Sequence, residues 1–186
     1  MLNTARSSLN FFRSTLRRFS PIKTKDTSVE NILNYLNYND NLSSSGQPTR
    51  KQFTLIAQAG YTLVINLATQ DKIEVPLKHE DKIVTHMGMA YAHIPVDFFN
   101  PDPHDFHRFV RTMKDAPHEK IWVHCMMNAR ASAFVYKYRC TVLGENPEKA
   151  IWDLRQIWEP FGVWKTFVYG TTADTIMRPA SKKGLT

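Results

Sequence analysis

Apolar positions open the chain at Leu2, Ala5, Leu9, Phe12, Leu16 and Phe19, spaced 3, 4, 3, 4 and 3 apart, so a helix there carries them on one face. Arg6, Arg13 and Arg17 flank that face, and Asn3, Ser7, Asn10 and Ser14 fill the far side. The folded region is predicted to begin at Thr27 or Ser28. Either can cap a first helix with Val29, Ile32, Leu33 and Leu36 on one side. Asn39 to Pro48 reads as a polar connection containing Gly46. A second helix follows Pro48, burying Phe53, Ile56 and Ala57 and stopping at Gly60. The run Tyr61 to Leu67 is short, apolar and rich in branched residues, which predicts a buried strand.

The alternation continues. Leu77 to Met87 reads as a helix ended by Gly88, and Tyr91 to Val96 as a strand. Pro103 to Lys114 reads as a helix with Phe106, Phe109, Val110 and Met113 inward. Ile121 to His124 is a third strand, Ala129 to Leu143 a helix ended by Gly144, and Pro147 opens a further helix at a first-turn position. Trp152, Trp158, Phe161 and Trp164 recur at near-helical spacing and are expected in the core. Strands alternating with helices give the class: α/β, with a mostly parallel central sheet covered by helices on both faces. The expected organisation is a basic segment over residues 1–26, one domain over 27–172 and a loose tail over 173–186.

Charge alters the picture at one end. The formal net charge is +7, yet Arg6, Arg13, Arg17, Arg18, Lys23 and Lys25 fall within the first 25 residues, which hold no acid. The remainder carries 18 basic against 17 acidic residues, with no clustering that would mark a nucleic-acid footprint. An arginine- and serine-rich, acid-free amphipathic start fits a mitochondrial transit peptide. A disordered basic tail and a membrane-surface helix fit the same residues. No apolar run approaches the roughly 18 to 20 residues of a bilayer span. Cys125 and Cys140 form neither a C-x-x-C pair nor a disulfide framework, which points to a reducing compartment, mitochondrial or otherwise cytoplasmic. His104 and His107 are three apart, but no acid or cysteine joins them at a metal spacing, so no metal and no cofactor is expected.

The stretch Ile121 to Ser132 joins a buried strand to a helix through a short loop. In a parallel sheet, ligands collect beyond the carboxyl ends of the strands, where helix N-termini present free N–H groups to anions. Cys125 lies at that positive end with Arg130 close by, a setting that favours the nucleophilic thiolate. Arg130 can grip two phosphate oxygens through its planar fork. Cys140 lies 15 residues on, about 20 Å along a helix, too far to act as a resolving thiol.

His124-Cys125 followed by Arg130 and Ser132 resembles the loop of the protein tyrosine phosphatase superfamily, in particular its small dual-specificity-like branch. Asn41 to Pro48, with its Ser-Gly-Gln-Pro, looks like that branch's opening strand region. Val64-Ile65-Asn66-Leu67 looks like its second strand, and His93 to Asp97 like its acid-loop strand. Trp158-Glu159-Pro160 matches the end of the short bacterial-type members, and together these segments span roughly residues 27–170. The spacing departs from the pattern. Four residues separate Cys125 from Arg130, where the superfamily has five. Ser132 keeps the hydroxyl spacing, and Asn128 stands where glycine is usual and best tolerates a left-handed backbone. Ala131 then takes the usual arginine place. One residue along a helix turns a side chain by about 100°.

The resemblance implies Cys125 as nucleophile, Met126, Met127, Asn128 and Ala129 as the phosphate loop, and Ser132 assisting breakdown. It implies His124 as support and Asp97 as the general acid, with Asp102 in reserve. The substrate would be a phosphorylated partner of unspecified class. Three functions fit these residues. The first is a cysteine-dependent phosphatase of the tyrosine or dual-specificity kind. The second is a pseudophosphatase that binds a phosphorylated ligand without turnover, motivated by the early arginine. The third is a rhodanese-like sulfurtransferase, whose loop also runs from Cys to Arg across four residues.

Overall fold

A computed structural model describes residues 27–69, 77–117 and 119–170, so the amphipathic start and the tail lie outside the described residues. Its strands are β1 (Leu36–Asn39), β2 (Leu42–Ser45), β3 (Leu63–Asn66), β4 (Ala90–His93) and β5 (Ile121–His124). Its helices are α1 (Arg50–Gln58), α2 (Glu80–His86), α3 (Pro103–Asp115), α4 (Ala129–Thr141), α5 (Pro147–Ile157) and α6 (Val163–Tyr169). The strands form one sheet in the order β1-β2-β5-β3-β4, parallel except for the antiparallel edge strand β1.

Side chains alternate across the sheet and sort into two cores. Val64 and Trp122 face α1 and α2 and pack with Phe53, Ile56, Ile83 and Val84. Ile65 and Val123 face the other way, with Phe109 of α3, Phe134 of α4, Leu154 of α5 and Trp164 of α6. The expected architecture, a mostly parallel sheet covered on both faces, is the one observed. Helix α4 runs through the centre of the second layer and buries every residue from Arg130 to Arg139. Two of its three inner cations are provided for within this layer: Lys137 Nζ donates to the Phe167 carbonyl (2.8 Å), and Arg139 pairs with Glu145 and Asp153.

Four expectations fail. The predicted first helix is a 3-10 turn of three residues, Val29–Asn31, after which Asn34 takes a left-handed φ of 52° and the chain extends into β1. Ile32 is still buried, but Leu36 belongs to a strand. The supposed connection Asn39 to Pro48 contains β2, fully buried despite its three serines. Each serine has a partner: Ser43 Oγ lies 2.6 Å from Tyr61 Oη, Ser44 Oγ 2.9 Å from Tyr38 Oη, and Ser45 Oγ accepts from Trp122 Nε1 at 2.9 Å. Trp158 and Trp164 are core residues, but Trp152 and Phe161 stand 71% and 66% exposed. Trp158 ends α5 with an extended backbone, so the four aromatics never share one helical face. Strand β4 is also shorter than the predicted Tyr91–Val96, although the Ile94 and Val96 N–H groups still donate to Asn66 and Leu67 carbonyls.

Gly46 follows β2 where two segments close on each other. A Cβ there would lie 2.9 Å from the Met126 carbonyl oxygen and 3.0 Å from Leu33 Cδ2. The Met126 carbonyl cannot withdraw freely, because it accepts from the Gln47 N–H at 3.1 Å. Gly46→Ala is expected to cost about 1–3 kcal/mol and to lower the melting temperature by roughly 3–10 °C, measured by circular dichroism. An unchanged melting temperature would show that the Met126 loop moves at no cost.

Candidate functional site

The loop after β5 lies at the carboxyl ends of β2, β3 and β5 and is held from several sides. Cys125 continues the β2 pairing, donating its N–H to the Ser45 carbonyl (3.4 Å). Asn34 Nδ2 donates to the Met127 carbonyl (2.9 Å), and Asn128 Nδ2 donates back to the Asn34 carbonyl (2.7 Å). Asn128 has φ 67° and ψ 1°, the left-handed conformation its type suggests, and it turns the chain into α4 with Ala129 as the first helical residue. Met126 is buried and Met127 half-buried. Ser132 Oγ donates to the Ala129 carbonyl at 3.1 Å, a bond within the first turn.

Arg130 is 2% exposed and its Nη1 donates to the Val96 carbonyl at 2.8 Å. Ala131, at the usual arginine position, is fully buried in the second core. The arginine one place earlier therefore turns toward the segment that carries Asp97. A second anchor pins that segment: Trp164 Nε1 donates to the Phe98 carbonyl at 2.7 Å, and the Phe98 ring packs on Trp158 and Trp164. Asp97 is exposed and accepts from the Phe99 N–H at 2.8 Å. Asp102 serves as the cap of α3, accepting from the His104 N–H at 2.8 Å. The structure thus brings the Arg130 side chain against the backbone beside Asp97, while the reserve acid is engaged at a helix end.

The sequence reading missed Glu80. This carboxylate is 5% exposed and gathers partners from four segments. Its Oε1 accepts from Asn66 Nδ2 (2.8 Å) and Tyr91 Oη (3.0 Å) and lies 3.0 Å from His124 Nε2, while Oε2 accepts from Gln47 Nε2 (2.5 Å). The His124 contact is a close approach without a hydrogen bond of standard geometry. Burial pushes the Glu80 carboxyl up, but the neighbouring His124 and hydrogen bonds from Gln47 and Tyr91 more than reverse this, leaving it below its ordinary 4.5. A carboxyl with a lowered folded-state value stabilises fully above the unfolded value and loses that contribution as pH falls through the folded one. Melting temperatures should therefore decline on acidification below about pH 4.5, and Glu80→Gln should lack that part of the decline. Identical acid profiles for the two proteins would contradict the assignment.

Two clefts flank α2. One, of about 440 Å³, is lined by Arg50, His79, Lys82, Ile83, His86 and Met87, and the other, of about 570 Å³, includes Lys78, Glu80, Tyr91 and His93. Neither is lined by Cys125, which is 1% exposed. Among the described residues, no group of three or more His, Cys, Asp or Glu is placed to hold a metal, and no helix is long and apolar enough to cross a membrane.

A known family, described as DSP-PTPase phosphatase fused to NAD+ kinase, matches residues 13–158. The chain belongs to the DSP-PTPase phosphatase family. No curated protein matches it. Two crystal structures from Shewanella putrefaciens CN-32, described as a candidate phosphatase of the DUF442 group, are 32% identical with TM-scores of 0.67 and 0.68. The alignments cover 75% and 79% of this chain and 91% and 96% of theirs. Pseudomonas aeruginosa TpbA in complex with phosphotyrosine shares the fold at 14% identity and a TM-score of 0.62, over 84% of this chain and 97% of that one. So does the core catalytic domain of the PP-IP phosphatase SIW14 from Saccharomyces cerevisiae, at 13% identity and a TM-score of 0.63, over 78% and 89%. Membership of this family places the chain with the phosphatase-like readings of its loop, away from the sulfurtransferase one.

Proposed function

We propose that this protein hydrolyses phosphomonoesters through Cys125. The observation that carries the reading is the placement of Cys125 between the end of β5 and the start of α4, with Arg130 bonded to the backbone next to Asp97. The Cys125 thiolate attacks phosphorus, forming an S–P bond as the ester P–O bond breaks. Asp97 gives its proton to the leaving oxygen. Water then attacks the cysteinyl phosphate, forming a P–O bond and passing a proton to the Asp97 carboxylate, as the S–P bond breaks and the thiolate leaves with its electron pair. Loop N–H groups and Arg130 stabilise the charge on the transferring phosphoryl group.

The test is hydrolysis of a small aryl phosphate by the wild-type chain across pH 5 to 8. Thiol-dependent turnover supports the reading; a flat trace from folded protein overturns it. The second reading, a pseudophosphatase, is favoured by one observation: Cys125 is 1% exposed while Arg130 already spends a donor on the Val96 carbonyl. Under that reading, folded protein binds phosphate or vanadate and releases no phenol.

A further inference from the structure

Glu80 lies outside the loop and outside the segment that bears Asp97, yet it touches both supports of the loop. On one side it meets His124, the residue before Cys125. On the other it accepts from Gln47, whose backbone N–H donates to the Met126 carbonyl inside the loop. Asn66 of β3 and Tyr91 of β4 fix the carboxylate itself. Asn66 is in turn oriented by the Ala68 N–H (2.7 Å), and the Leu67 N–H donates to the His124 carbonyl (2.8 Å). Burying a carboxylate is costly unless it is paired and hydrogen-bonded, and this one is engaged at both oxygens.

The His124 ring is fully buried, with Phe53 edge-on at 5.8 Å; among the described residues neither ring nitrogen has a hydrogen bond of standard geometry, but Nε2 lies 3.0 Å from Glu80 Oε1 while Nδ1 has no such neighbour. A neutral imidazole carries one proton. On Nδ1 that proton would be an orphaned buried donor, and the bare Nε2 would face a carboxylate oxygen at 3.0 Å, so two penalties add. On Nε2 it meets the carboxylate, and only an acceptor is left unpaired. The titratable groups around this ring are Glu80 of α2, Tyr91 of β4, through its bond to Glu80, and Cys125 next in the chain.

We propose that Glu80 is a positioning residue of the phosphatase site, holding His124 with its proton on Nε2 and, through Gln47, fixing the Met126 carbonyl of the loop. It rests on the phosphatase reading for its effect on turnover, but not for its effect on His124.

The full chain and Glu80→Gln are compared by ¹H–¹⁵N spectra of the His124 ring and by aryl phosphate kinetics. The wild type should show the Nε2-protonated form, and the variant should lose that tautomer preference, because the carboxylate that faces Nε2 is gone. Turnover should fall about 10–100-fold in kcat, the range carried by partners that orient a functional side chain, with KM changed far less. In a His124→Asn background the same substitution should cost less than it does alone, since the part of its effect that passes through the ring is already gone. Additive losses, or His124 ring spectra that show the same tautomer in both proteins, would overturn the proposal. If the wild type hydrolyses no aryl phosphate, the phosphatase reading falls, and the ring spectra still decide the role of Glu80. If Glu80→Gln does not fold, Tyr91→Phe takes its place. Removing one donor from Oε1 changes what the carboxylate offers the ring, so the His124 ¹⁵N signals should move, and unmoved signals would overturn the proposal.

Discussion

Cys125→Ser is expected to abolish aryl phosphate hydrolysis, a loss of at least about a thousandfold, because a serine hydroxyl cannot supply the anionic nucleophile that a thiol gives near neutral pH. The change is nearly isosteric, so the fold should survive. Cys125 is packed among core residues, and the loop is held by bonds to Asn34, Ser45 and Gln47 that do not involve the sulfur. The melting temperature should therefore stay close to that of the wild type while turnover disappears, and phosphate or vanadate should still bind. Residual activity at the wild-type level would mean that a contaminant or another group performs the hydrolysis. Wild-type protein that binds vanadate without turning over substrate would instead shift the assignment to the pseudophosphatase.

Arg130→Ala is expected to lower kcat/KM by about 10²–10³, the scale on which loss of one preorganised donor to transition-state charge operates. Arg130→Lys should recover little of it, because an ammonium lacks the planar fork that meets two oxygens at once. Two effects are combined in this side chain. Its Nη1 holds the Val96 carbonyl and so places Asp97, and its planar guanidinium suits a phosphoryl group. Thermal melts separate them. If Arg130 only clasps the Asp97 segment, anion binding by folded variant protein should match that of the wild type. Weakened vanadate binding beside a modest change in melting temperature would show that the early arginine contacts the anion.

The family's usual spacing would place the arginine at position 131, and the sequence alone left the effect of the shift open. The structure gives the physical outcome: position 131 faces the core, where alanine fits, and position 130 faces Val96. A side chain as long as arginine tolerates the change of register; a shorter cation would not reach as far.

Much of the site was legible because its signals are local. The strand Ile121–His124 is a continuous apolar run, Asn128 is a residue type that accepts a left-handed turn, and Ala129 begins a helix that follows at once, so Cys125 falls at a predictable junction. Strands β3 and β5 and helices α1 and α3 were equally readable, since each has its own periodicity and its own cap or stop. Strand β2 was not readable from periodicity, because Leu-Ser-Ser-Ser reads as a polar connection. Its burial depends on hydroxyl and indole partners at Tyr38, Tyr61 and Trp122, as far as 77 residues away. It was visible only through its resemblance to a family segment. Position 36 shows the opposite error: Leu36 kept a helical spacing with Val29, Ile32 and Leu33, but pairing with Ser44 made it a strand residue.

Glu80 marks the limit most clearly. In the sequence it is one acid of a charged stretch, His-Glu-Asp-Lys, with nothing to distinguish it from a solvated helix start. Its partners lie 33, 14, 11 and 44 positions away and meet only because β3, β4 and β5 lie side by side with α2 packed over them. The sequence by itself determined the alternation of strands and helices, and the junction and turn that carry Cys125, because these depend on residues within one helical turn or one strand. Tertiary structure alone decided which polar groups are buried together and how each is satisfied, because that depends on contacts no local pattern encodes.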